Sequence, residues 1–312
     1  MNTLANELNE TLEGSAAGRL LSALGREMYF PRGIVAQTGE ANERAHRFNA
    51  TVGMAFEERE PIMLSGLRDL IPAMSSREAV AYAPTPGIPE LRKLWKAEMK
   101  RKNPSLGETP TTLPMVTGGL TNGLFQISEL FVNEGDALII PELFWGNYRL
   151  MIQVRRAAEF VEYGLFTGDG RFNVSGLEAA IGSRKKAVVL LNFPNNPTGY
   201  TPTVREAEAM EKMLVRKAEA GTDILVVCDD AYFGLFYEDG LLEESLFARL
   251  AGAHERILAV KIDGATKEDF AWGFRVGFVT LAGKGLTADQ LAALEKKLMG
   301  TIRSTVSNSS RI

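Results

Sequence analysis

From about residue 75 onward, short apolar runs recur at residues 137–140, 160–163, 187–191, 224–228, 257–260 and 276–279. Most hold β-branched residues and lack a polar alternate face, the pattern of strands covered on both sides. Stretches of helical periodicity lie between some of them. Residues 90–102 open after Pro89 and end before Pro104; residues 120–132 stop ahead of Gly135; residues 175–181 and 204–220 follow. Residues 287–303 read as a last helix. Buried runs alternating with helices predict an α/β domain, with a mostly parallel central sheet and helices on both faces. The first 60 residues differ, reading as a helix or two and a loop, with breaks at Gly33, Gly39 and Gly53. No internal repeat or low-complexity tract interrupts the chain.

Composition narrows the classes. With 312 residues, 45% of them apolar, the chain can bury a substantial core. A net charge of -4 does not suggest nucleic acid as a partner. No apolar run reaches the roughly 18 residues of a membrane span, and the polar start lacks a signal-peptide core, so a cytoplasmic setting is expected. The one cysteine, Cys228, allows no internal disulfide; inside an apolar run it reads as a buried core thiol. The two histidines, His46 and His254, stand far apart and weigh against histidine-based acid/base or zinc chemistry.

Chemistry concentrates in a few runs. They are Asn195-Asn196-Pro197-Thr198-Gly199, Asp229-Asp230-Ala231-Tyr232, and Ala265-Thr266-Lys267 with Arg275-Val276-Gly277 beyond it. Each follows an apolar run, and in open α/β sheets ligand groups collect at the carboxyl ends of strands. Taken singly, each has an ordinary explanation. Asn-Pro is a common turn, an Asp after a strand often caps a loop, and a lone lysine is usually a solvated surface residue. Trp145, in Phe144-Trp145-Gly146-Asn147-Tyr148, also suits a hydrophobic core. Thr117-Gly118-Gly119-Leu120-Thr121 opens the 120–132 helix, where glycines let backbone N–H groups approach an anion. No Gly-Lys-Ser/Thr follows, so this is not a Walker loop.

Together and in this order, the three runs resemble the signature of the class I/II aminotransferases. These are pyridoxal 5′-phosphate (PLP) enzymes of the aspartate aminotransferase fold, fold type I. The resemblance covers about residues 80–310. It implies that Lys267 holds PLP as a Schiff base and that Asp229 pairs with the protonated pyridine nitrogen. It implies further that Tyr232 and Asn196 bond the phenolic oxygen and that Trp145 stacks on the ring. Gly119, Leu120 and Thr121 occupy its phosphate-cup positions, and Arg275, eight residues after the lysine, matches its phosphate arginine. Tyr82 resembles the tyrosine that reaches the phosphate of the neighbouring subunit, which implies a homodimer with shared sites. Gly53, in Asn49-Ala50-Thr51-Val52-Gly53, resembles the glycine strand lining the substrate. Arg303, four residues before Ser307-Asn308, resembles an arginine that crosses to the partner's site; a surface arginine on the last helix is the alternative.

The implied layout is an N-terminal segment, residues 1–75, serving the small domain and substrate site. A large PLP-binding domain follows over 76–300, and 301–312 begins a truncated small domain. Two departures stand out. Gly264 occupies the place of a phosphate-bonding serine found in many members. The family also runs on well past residue 312, into the segment carrying the arginine for the substrate α-carboxylate, so the chain reads as a fragment. The expected activity is transfer of an amino group between an amino acid and a 2-oxo acid. A β-lyase or an amino-acid decarboxylase would use the same motifs, and a PLP-binding regulator without turnover is a third possibility.

Overall fold

The structure, a computed structural model, describes residues 80–311 throughout. Before them it describes 2–13, 21, 23–29, 37, 40–41, 43–47, 49, 51, 55–57, 60–70 and 74–75. Gly33, Gly39 and Gly53 lie outside the described residues. The chain divides into two compact units, Met1–Ile62 and Met63–Ile312.

The first unit holds helices Thr3–Thr11 and Ala23–Glu27. The Asn2 side chain caps the first by accepting from Leu4 N. Two antiparallel strands, Phe56–Glu57 and Glu60–Pro61, were not legible in the pattern because each has only two residues.

The second unit is the α/β domain. Its main elements are helix α1 Pro89–Lys102, strand β1 Met115–Thr117, helix α2 Leu120–Phe131, strand β2 Ala137–Pro141, strand β3 Glu159–Tyr163, helix α3 Val174–Ile181 and strand β4 Lys186–Asn192. After them come helix α4 Val204–Glu219, strand β5 Asp223–Asp229, helix α5 Leu246–Leu250, strand β6 Ile257–Asp263, helix α6 Ala265–Glu268, strand β7 Gly277–Gly283 and helix α7 Ala288–Thr305. The helix starts follow local chemistry. Pro89 opens α1, whose last turn carries Lys100, Arg101 and Lys102 against the negative dipole end. Thr203 with Glu206, and Thr287 with Gln290, form capping boxes on α4 and α7.

Seven strands form one sheet in the order β1-β7-β6-β5-β4-β2-β3. The pairs β3–β2, β2–β4, β4–β5 and β5–β6 are parallel, whereas β7 runs antiparallel to both its neighbours. Alternate residues of the central strands feed two cores. Val189, Leu191, Val226 and Cys228 face α3, α4 and α5, whereas Val188, Leu190, Leu225 and Val227 face α2 and α7. Burying each such aliphatic side chain contributes about 1.5–3 kcal/mol relative to exposure. β1 escapes the sequence pattern because it is only three residues long, and so does the five-residue α5. A π-helical turn at Arg149–Val154 also has no counterpart in the pattern. The strand order turns back between β2 and β4, and such a switch opens a crevice at the carboxyl ends of the strands.

Candidate active site

The crevice is a cavity of about 250 Å³ lined by Leu120, Thr121, Trp145, Tyr148, Asn192, Asn196, Asp229, Tyr232, Thr266, Lys267 and Arg275, among others. Asp229 is the last residue of β5, level with Asn192 of β4. Asn192 ties the two strand ends: its Nδ2 donates to Asp229 O (2.7 Å) and its Oδ1 accepts from Asn196 N (2.7 Å). The Asp229 carboxylate, 3% exposed, accepts from Tyr148 Oη (2.5 Å) and from Ala231 N (3.2 Å). Burial raises its pKa from 3.8 to about 6, and nearby Asp230 adds to the rise; the Tyr148 and Ala231 hydrogen bonds and the Lys267 charge oppose it. Tyr148 in turn is held up by burial and by the Asp229 charge.

Lys267 sits on the short helix α6, directly beyond β6, and is half-buried. Its Nζ lies 5.2 Å from the centre of the Tyr232 ring. Desolvation, then the Arg275 charge, push its pKa below the ordinary value, while Asp229 opposes them. The shift is toward easier loss of the proton, the direction that suits a nucleophilic lysine.

Glycines shape the opposite wall. Gly119 caps α2 at φ 85°, a conformation that favours glycine. A Cβ there would lie 2.7 Å from Arg275 Nη2, so the guanidinium rests against the loop. Leu120 and Thr121 head α2, where backbone N–H groups have no carbonyl within the helix to bond. A Cβ on Gly277 would lie 2.6 Å from Gly119 C, and one on Gly264 would lie 2.6 Å from Val276 O. Gly264 thus departs from the serine pattern for a packing reason, because a side chain would collide with the β7 entry. Together, a helix N-terminus and a guanidinium make a cradle for a phosphate-sized anion.

The cavity brings together ten of the residues singled out in the sequence or adjoining them: Leu120, Thr121, Trp145, Asn196, Asp229, Tyr232, Lys267 and Arg275 line it, Gly119 backs it, and Thr266 completes the turn. It does not include Tyr82, which is 92% exposed, or Arg303, which is exposed on α7 and donates to Ser307 Oγ. Gly53 lies outside the described residues. Two residues of the cavity wall that bond Asp229 were not singled out in the sequence. Tyr148 could have been found three residues after Trp145, one helical turn on, and Asn192 as the polar end of an apolar strand. Cys228 is a buried free thiol, and the described residues contain no metal-ligating cluster.

The fold and cavity define an α/β protein with a lysine and a buried carboxylate facing an anion cradle. Residues 56–310 match the family model "Aminotransferase class I and II", and the chain belongs to that family. An aspartate aminotransferase of Bacillus sp. (strain YM-2) is 26% identical over 250 residues, covering 80% of this chain and 60% of that protein. The aspartate/prephenate aminotransferase of Thermus thermophilus is 30% identical over 198 residues, covering 63% of this chain and 47% of that one. Among solved structures, an aminotransferase from Anaerococcus prevotii superposes with a TM-score of 0.80 at 24% identity, over 91% of this chain and 72% of the other. This chain thus spans 60% and 47% of the two relatives' lengths.

The family's cofactor is PLP, and the residues present fit it. A Cβ at Gly119 would fill the anion cradle. Asp229 is a buried carboxylate that keeps acceptor capacity facing the cavity, and the Asn196 amide lines the wall with no side-chain hydrogen bond among the described residues. The proton affinity of Lys267 is shifted downward, the direction that attachment to an aldehyde favours.

Proposed function

We propose that this chain is the cofactor-binding part of an aminotransferase that moves an amino group between an amino acid and a 2-oxo acid. The observation that carries the reading is the shared cavity of Lys267, Asp229 and the Gly119–Arg275 cradle. When bound, PLP supplies an electron sink for the charge left at the substrate Cα. Lys267 Nζ would be the amine that holds the cofactor aldehyde and the base that takes the proton from the substrate Cα. Asp229 would hold a negative charge for the pyridine nitrogen, and Tyr148 fixes the orientation of its carboxylate. Tyr232 and Asn196, which line the cavity, would donate to the phenolic oxygen, and Trp145 would supply the face for the ring. The N–H groups of Leu120 and Thr121, with Arg275 and the glycine turn at Gly119, would hold the phosphate.

The enzyme works as a cytoplasmic homodimer in this reading. Tyr82, almost fully exposed in a single chain, is then available to a neighbouring subunit's phosphate. Arg303, exposed on α7, is then the residue that meets an acidic substrate side chain across the interface. No helix among the described residues is long and apolar enough to cross a membrane.

Borohydride treatment of the PLP-loaded protein tests the assignment. The expected result is a reduced adduct on the peptide containing Lys267; a label on another lysine, or none, overturns it. Product analysis with a panel of amino acids and 2-oxoglutarate then fixes the outcome. Oxo acid plus glutamate means transfer, pyruvate plus ammonia a lyase, and carbon dioxide a decarboxylase.

A further inference from the structure

A buried cation lies behind the site, and the chemistry above does not use it. Lys261 sits near the end of β6 between Val260 and Ile262 and is 0% exposed. It is level with Cys228 of β5, on the face of the sheet turned away from the cavity. Its ammonium donates to Asp230 Oδ2 and lies 3.2 Å from Asp263 Oδ2, with the Phe233 ring centre 4.3 Å away. Ser245 Oγ donates to Asp230 Oδ2 (2.6 Å), and Trp95 Nε1 donates to Asp263 Oδ1 (3.1 Å).

Packing alone does not call for such a network. Moving each ion out of water costs several kcal/mol, and apolar residues of similar volume often serve stability as well or better. Charge offers a reason. Asp229, Asp230 and Asp263 are three buried carboxylates at the ends of adjacent strands, and Lys261 is the cation set among two of them. The other charged groups nearby are Lys267 and Arg275 on the cavity side. Glu98, Lys102 and Glu268 line the narrow space beside Asp230 and Asp263, with Lys102 paired to both glutamates.

We propose that Lys261 is a positioning residue for the cofactor site. By neutralising Asp230 and Asp263 from the far face of the sheet, it leaves Asp229 as the strand-end carboxylate that carries charge at the pyridine nitrogen. This rests on the reading of Asp229 given above. Without the ammonium, the potential at the strand ends becomes more negative and a proton binds there more readily; without the Asp263 charge, it binds less readily. The rise that Asp230 already imposes on Asp229 has the same sign.

The test is a carboxyl-carbon NMR titration of cofactor-free protein, reading the midpoint at which Asp229 and Asp230 together take up a proton. Lys261→Met is expected to raise that midpoint by about one pH unit, and Asp263→Asn to lower it by a smaller amount. In PLP titrations at pH 6, where a one-unit rise cuts the ionised fraction of Asp229 from about half to about a tenth, Lys261→Met weakens affinity about fivefold while Asp263→Asn does not weaken it. Damage to structure alone would weaken both variants. Midpoints that stay put, or move the same way in both, overturn the proposal. If Lys261→Met does not fold, Asp263→Asn decides alone: an unchanged or raised midpoint overturns it. Failure of the wild-type protein to hold PLP on Lys267 would instead defeat the functional reading, which the cofactor-free titration does not involve.

Discussion

The two aspartates that close β5 point to opposite faces of one sheet and keep different company. Asp229 faces the cavity, with a phenol and one backbone N–H as its protein donors and the rest of its acceptor capacity open. Asp230 faces the other core, where Lys261 and Ser245 engage it and Asp263 shares the same ammonium. Their exposures, 3% and 4%, do not tell them apart. Burial therefore does not distinguish the two carboxylates. What distinguishes Asp229 is hydrogen-bonding capacity left open toward the cavity.

Replacing each by alanine should separate the two roles most strongly. Asp230→Ala strips Lys261 of its nearest partner and should cost about 3–5 kcal/mol of stability, read from urea unfolding. Asp229→Ala strands no neighbouring cation. It should unfold near the wild-type midpoint yet slow amino-acid turnover by the loaded protein about a thousandfold, equivalent to roughly 4 kcal/mol. An active Asp229→Ala protein beside an inactive, stable Asp230→Ala protein would reverse the assignment.

A subtler change isolates the charge on Asp229. In the cofactor-free protein its pKa is raised from 3.8 to about 6, chiefly by burial. A raised acid contributes stability that is fully present below pH 3.8 and is lost as pH rises through about 6. A carboxamide in its place would mimic the protonated form at every pH. Asp229→Asn should therefore stabilise the cofactor-free protein by about 2–3 kcal/mol at pH 8, and by almost nothing near pH 4. Urea midpoints at both values check the sign; a gain independent of pH would mean that charge burial is not the cause.

Much of this comparison was legible in the sequence, and the remainder has a physical reason for being hidden. The apolar runs located six of the seven strands of the main sheet, because strands buried on both faces leave a continuous signal. The Asp-x-Ala-Tyr spacing selected Asp229 over Asp230. The sequence did not reveal what Asp230 does, because its partner Lys261 lies 31 positions away and just beyond the apolar run at 257–260. Tyr148 was hidden for the same reason: its bond to Asp229 spans 81 positions. Gly264 read as a lost phosphate contact, and only the approach of Val276 O shows that packing forbids a side chain there.

Tyr148 gives the next smaller test on the cavity face. Its hydroxyl donates to the ionised form of Asp229, and hydrogen bonds to charged groups are worth about 1.5–3 kcal/mol. Tyr148→Phe should raise the proton affinity of Asp229 and weaken PLP binding by about fifteenfold at pH 8, the lower end of that range. Carboxyl NMR and cofactor titration read the two effects separately. Unchanged binding would make Tyr148 a packing residue.

Tyr163 is its counterpart on the opposite face and should give the smallest effect. It ends β3, is 6% exposed, and packs edge-on against Phe172 with ring centres 6.2 Å apart. Its hydroxyl has no hydrogen-bond partner among the described residues, and burial holds its phenol far above the ordinary pKa. A buried polar group without a partner is destabilising, so removing it should help the fold rather than harm it. Tyr163→Phe is expected to raise stability by about 0.5–1 kcal/mol, after allowance for the small void the oxygen leaves. Cofactor affinity should not change, because Tyr163 belongs to the core away from the cavity. Urea unfolding of the variant decides the matter. A loss of stability would mean that the hydroxyl is satisfied in solution, and that the two buried tyrosines differ in ligand contact but not in hydrogen bonding.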